Sequence, residues 1–243
     1  MLSERCSITG TGKVIMVLIT MMVCLFPQRA WSAIGCTLSN PAEDLKYLYP
    51  EMTTFKEDLK EFTRLIDGVA LFDAMKDRLG SDLDPIYETY ETPYTIYSVF
   101  KDAKKIGIVH GVNVPGKGGV IQVFLSMDPV TSEIRKFFFQ RLESSAASQL
   151  RSKTFRDQFE KMTLADFYKH DYYAAVDPSA SADKLAQLKS PVLDDAARPD
   201  YIASLRGIRK NLILLDFFVY GRRFEPFFEK AKKALHGKNK TKG

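Results

Sequence analysis

The sequence predicts an α+β fold in which an antiparallel β-meander of four or more strands packs with N-terminal and C-terminal helices. Four runs rich in Val, Ile, Phe and Tyr follow one another, at residues 94–101, 105–114, 120–127 and 134–142. Turn sequences with Gly, Pro and Asp separate them, and connections this short imply antiparallel neighbours. Apolar residues at helical spacing flank these runs on both sides.

Residues 1–32 are expected to be an export signal or a membrane anchor. A polar start with Arg5 and Lys13 precedes an apolar run at 14–26, and Ala30-Trp31-Ser32 offers small residues for cleavage. The run is shorter than the roughly 20 apolar residues that a membrane-spanning helix needs. The sequence therefore predicts an exported protein, with a retained anchor as the alternative.

Cys36 is the one cysteine that remains if a signal containing Cys6 and Cys24 is removed. A single cysteine forms no internal disulfide. Two interpretations stay open. Gly35 before the cysteine resembles a lipoprotein processing site, whereas the polar residues 27–29 interrupt the apolar run and favour a lone thiol.

Residues 33–85 are predicted to form an N-terminal helical segment that precedes the α+β domain at 86–222. Asn40 and Pro41 are typical of a helix start. A second helix is expected over 55–79, interrupted or ended in its first half by Gly68. Its apolar residues recur at helical spacing and are Phe55, Leu59, Phe62, Leu65, Ile66, Val69 and Phe72.

The second predicted strand indicates how the sheet is covered. Two sets alternate along it, a bulky set of Ile106, Ile108, Val112 and Val114, and a smaller set of Gly107, Val109, Gly111 and Asn113. The first set is expected to face a core, and the other face to carry little bulk. His110 shares the phase of the bulky set, which favours a hydrogen-bonded core histidine over a ligand or proton carrier.

The C-terminal third is predicted to supply helices. Thr163 and Asp166 resemble a capping box for a short helix. Residues 177–197 are rich in Ala, Ser and Asp and are expected to form a short helix between loops. A closing helix from about Pro199 carries an apolar stripe, with charged residues off the stripe at Arg206, Arg209 and Lys210.

Residues 223–243 form a basic tail with lysines at 230, 232, 233, 238, 240 and 242. A nucleic-acid-binding protein would spread basic residues over a folded face with aromatic residues between them, so no nucleic-acid partner is expected. A solvated, frayed tail is the favoured interpretation. Weak peripheral contact with anionic membrane lipids is the alternative.

The residue types suggest no catalytic or metal-binding set. Three histidines and one remaining cysteine lie far apart in the sequence and form no metal-ligand motif, so no metal site is expected. Asp194 and Asp195 are adjacent, which favours a helix-start cap over an acid–base pair, and no Gly-x-Ser-x-Gly motif occurs. The glycine-rich turn at 115–119 lacks P-loop spacing, so a β-hairpin is favoured over a phosphate cradle.

A Gly-Lys-Gly-Gly hairpin, a strand ending at Asp128-Pro129, a strand from Ile134, a loop opening at Glu143 and the sequence at 155–159 follow in order. This order resembles the FMN-binding domain found in flavin-carrying periplasmic subunits of the sodium-pumping NADH:quinone oxidoreductase and of Rnf electron-transfer complexes. The resemblance covers about residues 94–159, with the helix 201–215 in the expected closing place.

The resemblance implies FMN as cofactor, with Gly118, Gly119, Glu143, Ser144 and Arg151 as the cofactor-binding residues. It also implies a periplasmic location, or a membrane anchor that faces the periplasm. The expected partner is a membrane redox complex or an envelope electron-transfer protein. In that setting the chain would be an electron-transfer accessory protein rather than a stand-alone enzyme.

Two departures limit what the resemblance implies. Members that bind flavin covalently use the last Thr of a Ser/Thr-Gly-Ala-Thr motif before the closing helix, whereas residues 194–199 here contain no threonine. The family's Glu-Thr-x-Gly-x-Gly loop is replaced at 143–148 by a sequence without glycine, which restricts close backbone approach to a ligand.

Two hypotheses follow from the resemblance and its departures. In the first, the protein binds FMN or a related flavin non-covalently and relays electrons, with Arg151, Arg206 and Arg209 as phosphate ligands. In the second, the same fold serves as a flavin-free envelope binding or scaffold protein, and these arginines are surface charges.

Overall fold

The computed structural model describes residues 35–169 and 196–240. The predicted export signal and most of the Ala-rich segment at 177–197 lie outside them. The helices are α1 (Pro41–Leu48), α2 (Gly68–Leu79), α3 (Ala147–Leu150), α4 (Lys153–Asp157), α5 (Leu164–Lys169), α6 (Arg198–Phe218) and α7 (Glu225–Lys240). The strands are β1 (Thr54–Lys60), β2 (Tyr94–Lys101), β3 (Lys104–Gly116), β4 (Gly119–Met127) and β5 (Ile134–Arg141). Short 3-10 helices span Phe62–Arg64 and Gly80–Asp82.

The five strands form one antiparallel sheet in the order β1-β2-β3-β4-β5, which confirms the predicted α+β fold and its meander. The four predicted strands correspond to β2, β3, β4 and β5, with small differences at their ends. Asp102 in the turn between β2 and β3 has a φ of 53°, a left-handed conformation that Asp tolerates better than most residues.

The strand β1 shows that the predicted helix over 55–79 was wrong in its first half. Residues 54–60 pair with β2, from Thr54 opposite Phe100 to Lys60 opposite Tyr94. The spacing of apolar residues fits a helix, but the open edge of β2 offers backbone hydrogen bonds that periodicity does not reveal. Gly68 begins α2, and a Cβ there would lie 2.0 Å from the carbonyl oxygen of Phe62.

The main core lies between α6 and one face of the sheet. The bulky set of β3 contributes to this core, as predicted, except for Ile106. A bulge opposite Val99 and Phe100 shifts the register, and Ile106 packs on the opposite side of the sheet. The second half of β3 thus keeps the predicted alternation, while its first residues do not.

A second core covers the other face, which corrects the expectation of a face with little bulk. Its fully buried residues are Cys36, Leu38, Leu45, Leu48, Tyr49, Tyr97, Val99, Val109 and Phe124. A Cβ at Gly107 would lie 2.1 Å from Tyr49 Cζ, and a Cβ at Gly111 would lie 2.4 Å from Phe124 Cε1. The small residues of β3 therefore make room for aromatic rings.

Cys36 belongs to this second core. The residue is buried and forms no disulfide. Burial raises the pKa of its thiol to about 12. Because only the thiolate is a strong nucleophile, this raised pKa makes the thiol unreactive in the folded protein.

Buried charges connect α6 to the segment 78–88. Two residues predicted to lie off the apolar stripe, Arg209 and Lys210, are buried. Each can be buried because it pairs with a carboxylate inside the protein. The Arg209 guanidinium donates to Asp82 Oδ2 at 2.6 Å, and Lys210 binds Glu88. Farther along α6, Asp216 Oδ2 lies 2.7 Å from the guanidinium of Arg78.

His110 lies in the interior and is hydrogen-bonded, as the favoured interpretation predicts. Asn211 Nδ2 donates to the carbonyl of Val123 at 2.8 Å, which turns Asn211 Oδ1 toward the imidazole. His110 Nδ1 therefore donates to that oxygen at 2.5 Å. Burial, opposed by this hydrogen bond and reinforced by the charge of Lys210, lowers the pKa of His110 to about 4.

The basic tail is helical rather than frayed over residues 225–240, where it forms α7. Its first half packs on the protein through the ring of Phe228, which lies 5.7 Å from the ring of Tyr168. Lys232 Nζ binds Asp77 Oδ2 at 2.7 Å. Apolar packing of the Phe228 ring explains why this half is held on the protein despite its lysines, and the exposed ion pair adds little.

We expect Glu88→Gln to lower the free energy of unfolding by about 3 kcal/mol or more, because the Lys210 ammonium would stay buried without a counter-charge. The double variant Glu88→Gln, Lys210→Met should lose less than the sum of the single losses, because the two side chains interact. Urea denaturation measures both. As a control, Lys232→Met removes an exposed ion pair and should leave the midpoint unchanged; equal losses at both sites would contradict the role of the buried pair.

A second expectation concerns pH. The unfolded chain protonates His110 near its ordinary pKa of 6.5, but the folded chain only near pH 4, so the free energy of unfolding should fall as the pH drops through this window. The shift corresponds to roughly 3 kcal/mol at most. Urea denaturation of the protein and of His110→Gln across the window tests this. The variant should lose most of the pH dependence, and an unaltered slope would show that other groups cause it.

Candidate functional site

The glycine turn between β3 and β4 lies at the end of the sheet where β5 also ends. Gly116 and Gly119 face each other across the turn, and Gly119 has a φ of 136°, which favours glycine. A Cβ at Gly118 would lie 2.3 Å from the carbonyl oxygen of Glu143. The structure thus brings together three of the predicted cofactor residues, Gly118, Gly119 and Glu143.

The first turn of α6 meets the same glycine turn. The backbone N–H of Lys117 donates to Asp200 Oδ1 at 2.7 Å, and Asp200 is only 2% exposed. A carboxylate in the first turn of a helix also complements the positive end of the helix dipole. Sequence reasoning missed Asp200. The sequence contains one signal for it, an acidic residue directly after Pro199. This signal predicts the start of a helix but not the contact with Lys117.

Glu143 and Ser144 form the accessible part of this end. Arg141 donates to Glu143 Oε1 from Nε at 3.1 Å and from Nη2 at 2.8 Å, and both side chains are largely exposed. Ser144 Oγ accepts a hydrogen bond from the backbone N–H of Ala146 at 3.2 Å. This hydroxyl stabilises the turn that leads from Glu143 into α3.

The predicted arginines serve different parts of the structure. Arg151 donates from Nη1 to the carbonyl of Phe139 at 2.5 Å, so it supports β5 rather than the glycine turn. Arg209 binds Asp82, and Arg206 Nε lies 3.5 Å from the same carboxylate. These contacts give Arg206 and Arg209 a structural role around Asp82.

A groove of about 770 Å³ opens at the opposite end of the sheet. None of the predicted cofactor residues lines it. Arg135 lies along this groove, donates from Nη1 to the carbonyl of Ile106 at 2.8 Å and stacks 5.1 Å from the centre of the Tyr49 ring. The other charged lining residues carry both signs and are Glu51, Lys104, Lys105, Asp128, Glu133, Lys136, Glu160 and Lys161. This balance of charge favours no single ligand class.

The end of the sheet that contains the glycine turn, called the hairpin end below, has groups suited to binding a ligand. It offers the carboxylate of Glu143, the hydroxyl of Ser144 and the exposed side chain of Lys117, whereas the Asp200 carboxylate is buried against the Lys117 N–H. Within residues 35–169 and 196–240, no three His, Cys, Asp or Glu side chains lie close enough to hold a metal ion. In the same part of the chain no helix has both the length and the apolar character to cross a membrane. Asp194 and Asp195 lie outside it.

Comparison with known protein families finds no family model that matches this chain. Comparison with curated proteins finds no match either. The convergence of the glycine turn, the Glu143 loop and the start of α6 is therefore the structural basis for assigning a function.

Proposed function

We propose that this chain is a non-covalent flavin-binding protein of the cell envelope that takes part in electron transfer. One observation carries the proposal: the glycine turn touches both the Glu143 loop and the first turn of α6. These three pieces are distant in sequence and are the ones that the resemblance to the FMN-binding domain relates to the cofactor. The site would be the accessible surface around Glu143 and Ser144.

The protein residues would bind and orient the flavin, and the flavin would supply the redox chemistry. The Ser144 hydroxyl and the Glu143 carboxylate can hydrogen-bond to the polar edge of a flavin ring. Gly118 carries no side chain, so the Glu143 carbonyl can pack against its backbone, which holds the Glu143 loop beside the glycine turn. Attachment would be non-covalent, since no threonine stands at 194–199.

We further propose that the protein works on the outer side of the cytoplasmic membrane, next to a membrane redox complex or an envelope electron-transfer protein. The support is the signal-like sequence of residues 1–32. The exposed lysines 230 and 233 of α7 would add weak peripheral attraction to anionic lipids.

The alternative is a flavin-free binding or scaffold protein on the same fold, and specific contacts favour it. The N–H of Lys117 already donates to Asp200, and Arg151 donates to the carbonyl of Phe139. The Glu143 carboxylate already accepts from Arg141. A side chain that already has an internal partner gains less from a ligand, because one hydrogen bond replaces another.

The absorption spectrum of the purified full-length protein distinguishes the two functions. We expect yellow protein with flavin bands, and acid precipitation should release the colour into the supernatant because the attachment is non-covalent. Colourless protein that also fails to quench the fluorescence of added riboflavin or FMN would support the flavin-free alternative.

A pair of variants then tests the position of the site. Glu143→Ala should weaken flavin binding about tenfold, the loss expected for one hydrogen bond to a charged group. The matched variant Glu133→Ala removes a carboxylate that lines the groove at the other end of the sheet and should leave the affinity unchanged. The reverse result would place the flavin in the groove.

A further inference from the structure

Asp200 occupies the position at the hairpin end where an anionic ligand group would be expected. Helix N-termini and glycine turns attract phosphate because they present backbone N–H groups and the positive end of a helix dipole. Here α6, a helix of 21 residues, begins beside the glycine turn. The N–H of Lys117 points at the Asp200 carboxylate at 2.7 Å. The protein thus supplies its own anion at this place.

The burial of Asp200 makes this internal anion hard to displace. The residue is 2% exposed, and Ser204 Oγ also donates to its backbone carbonyl at 2.7 Å. Moving the carboxylate away would leave the Lys117 N–H without its acceptor. It would also remove the charge that complements the start of α6.

The remaining charges do not create a second phosphate position. Glu143, on the other side of Gly118, carries a further carboxylate, and its partner Arg141 is bound to it through two nitrogens. Lys117 has an exposed side chain, so its ammonium is hydrated and attracts a ligand only weakly. A phosphate at this end would meet two carboxylates at short range.

We propose that Asp200 is a specificity-determining residue that excludes phosphate, so that the ligand of this site is a flavin without a phosphate group, of the riboflavin type, rather than FMN. This inference rests on the proposed flavin-binding function. It assigns to Asp200 the task of discriminating between two ligands that share the same ring and differ in charge. Like charges facing each other are an effective means of rejecting a wrong ligand.

The test is a pair of fluorescence titrations of the full-length protein, one with riboflavin and one with FMN. We expect the protein to bind riboflavin at least about tenfold more tightly than FMN. Asp200→Asn keeps an oxygen that accepts from the Lys117 N–H but removes the charge. This variant should bring the two affinities within about threefold of each other, by strengthening FMN binding and leaving riboflavin binding unchanged.

Asp102→Asn is the matched control. Asp102 lies in the turn between β2 and β3, at the opposite end of the sheet, and asparagine tolerates its left-handed backbone. The same change of charge there should leave the ratio of the two affinities as it is in the unaltered protein. An equal response of both variants would mean that net charge, not Asp200, sets the preference, and would overturn the inference.

The outcomes separate the two proposals. Equal or tighter binding of FMN by the unaltered protein overturns the role of Asp200 and leaves flavin binding intact. If neither flavin binds, the proposed function fails and the inference falls with it. The ratio measured on the unaltered protein needs no variant, so it decides the question even if Asp200→Asn does not fold.

Discussion

The burial of charged side chains along α6 is the constraint on which the rest of the structure depends. Arg209, Lys210 and Asp216 lie on one helix that packs across β3 and β4. Such groups are tolerated inside a protein only when each has a partner of opposite charge in good geometry. Their partners come from α2 and the residues that follow it, so the rotation and register of α6 are fixed by pairing as well as by apolar contact.

This constraint reaches the hairpin end. With α6 held along its length, its first turn lies beside the sheet, where Asp200 reaches the turn of β3 and β4. The loop at Glu143 follows from the topology, because β5 ends where that turn lies. The candidate site is therefore a consequence of how the closing helix is anchored, far from the anchoring residues themselves.

Much of the sheet could be predicted because its signals are local. The strands β2 to β5 follow from β-branched and aromatic runs with turn residues between them, and the nearness of Gly118 to Glu143 follows from that order. The strand β1 could not be predicted in this way, because its apolar spacing also fits a helix and its pairing partner lies about 40 residues later in the chain. The charge of Lys210 predicts a place off the apolar stripe of α6, whereas Glu88, which permits its burial, is remote in sequence.

The contact between Gly107 and Tyr49 has a consequence for the extent of the folding unit. The ring of Tyr49 fills the space that a side chain at 107 would take, and its hydroxyl accepts a hydrogen bond from Ser126 Oγ at 2.7 Å on the neighbouring strand. The N-terminal segment from Cys36 to Tyr49 is thus part of the folded domain, because it covers the second core and the Tyr49 ring fills the space beside Gly107. A shortened chain that began after Pro50 would expose the apolar residues of the second core on the sheet. It would therefore aggregate rather than fold as a smaller soluble domain.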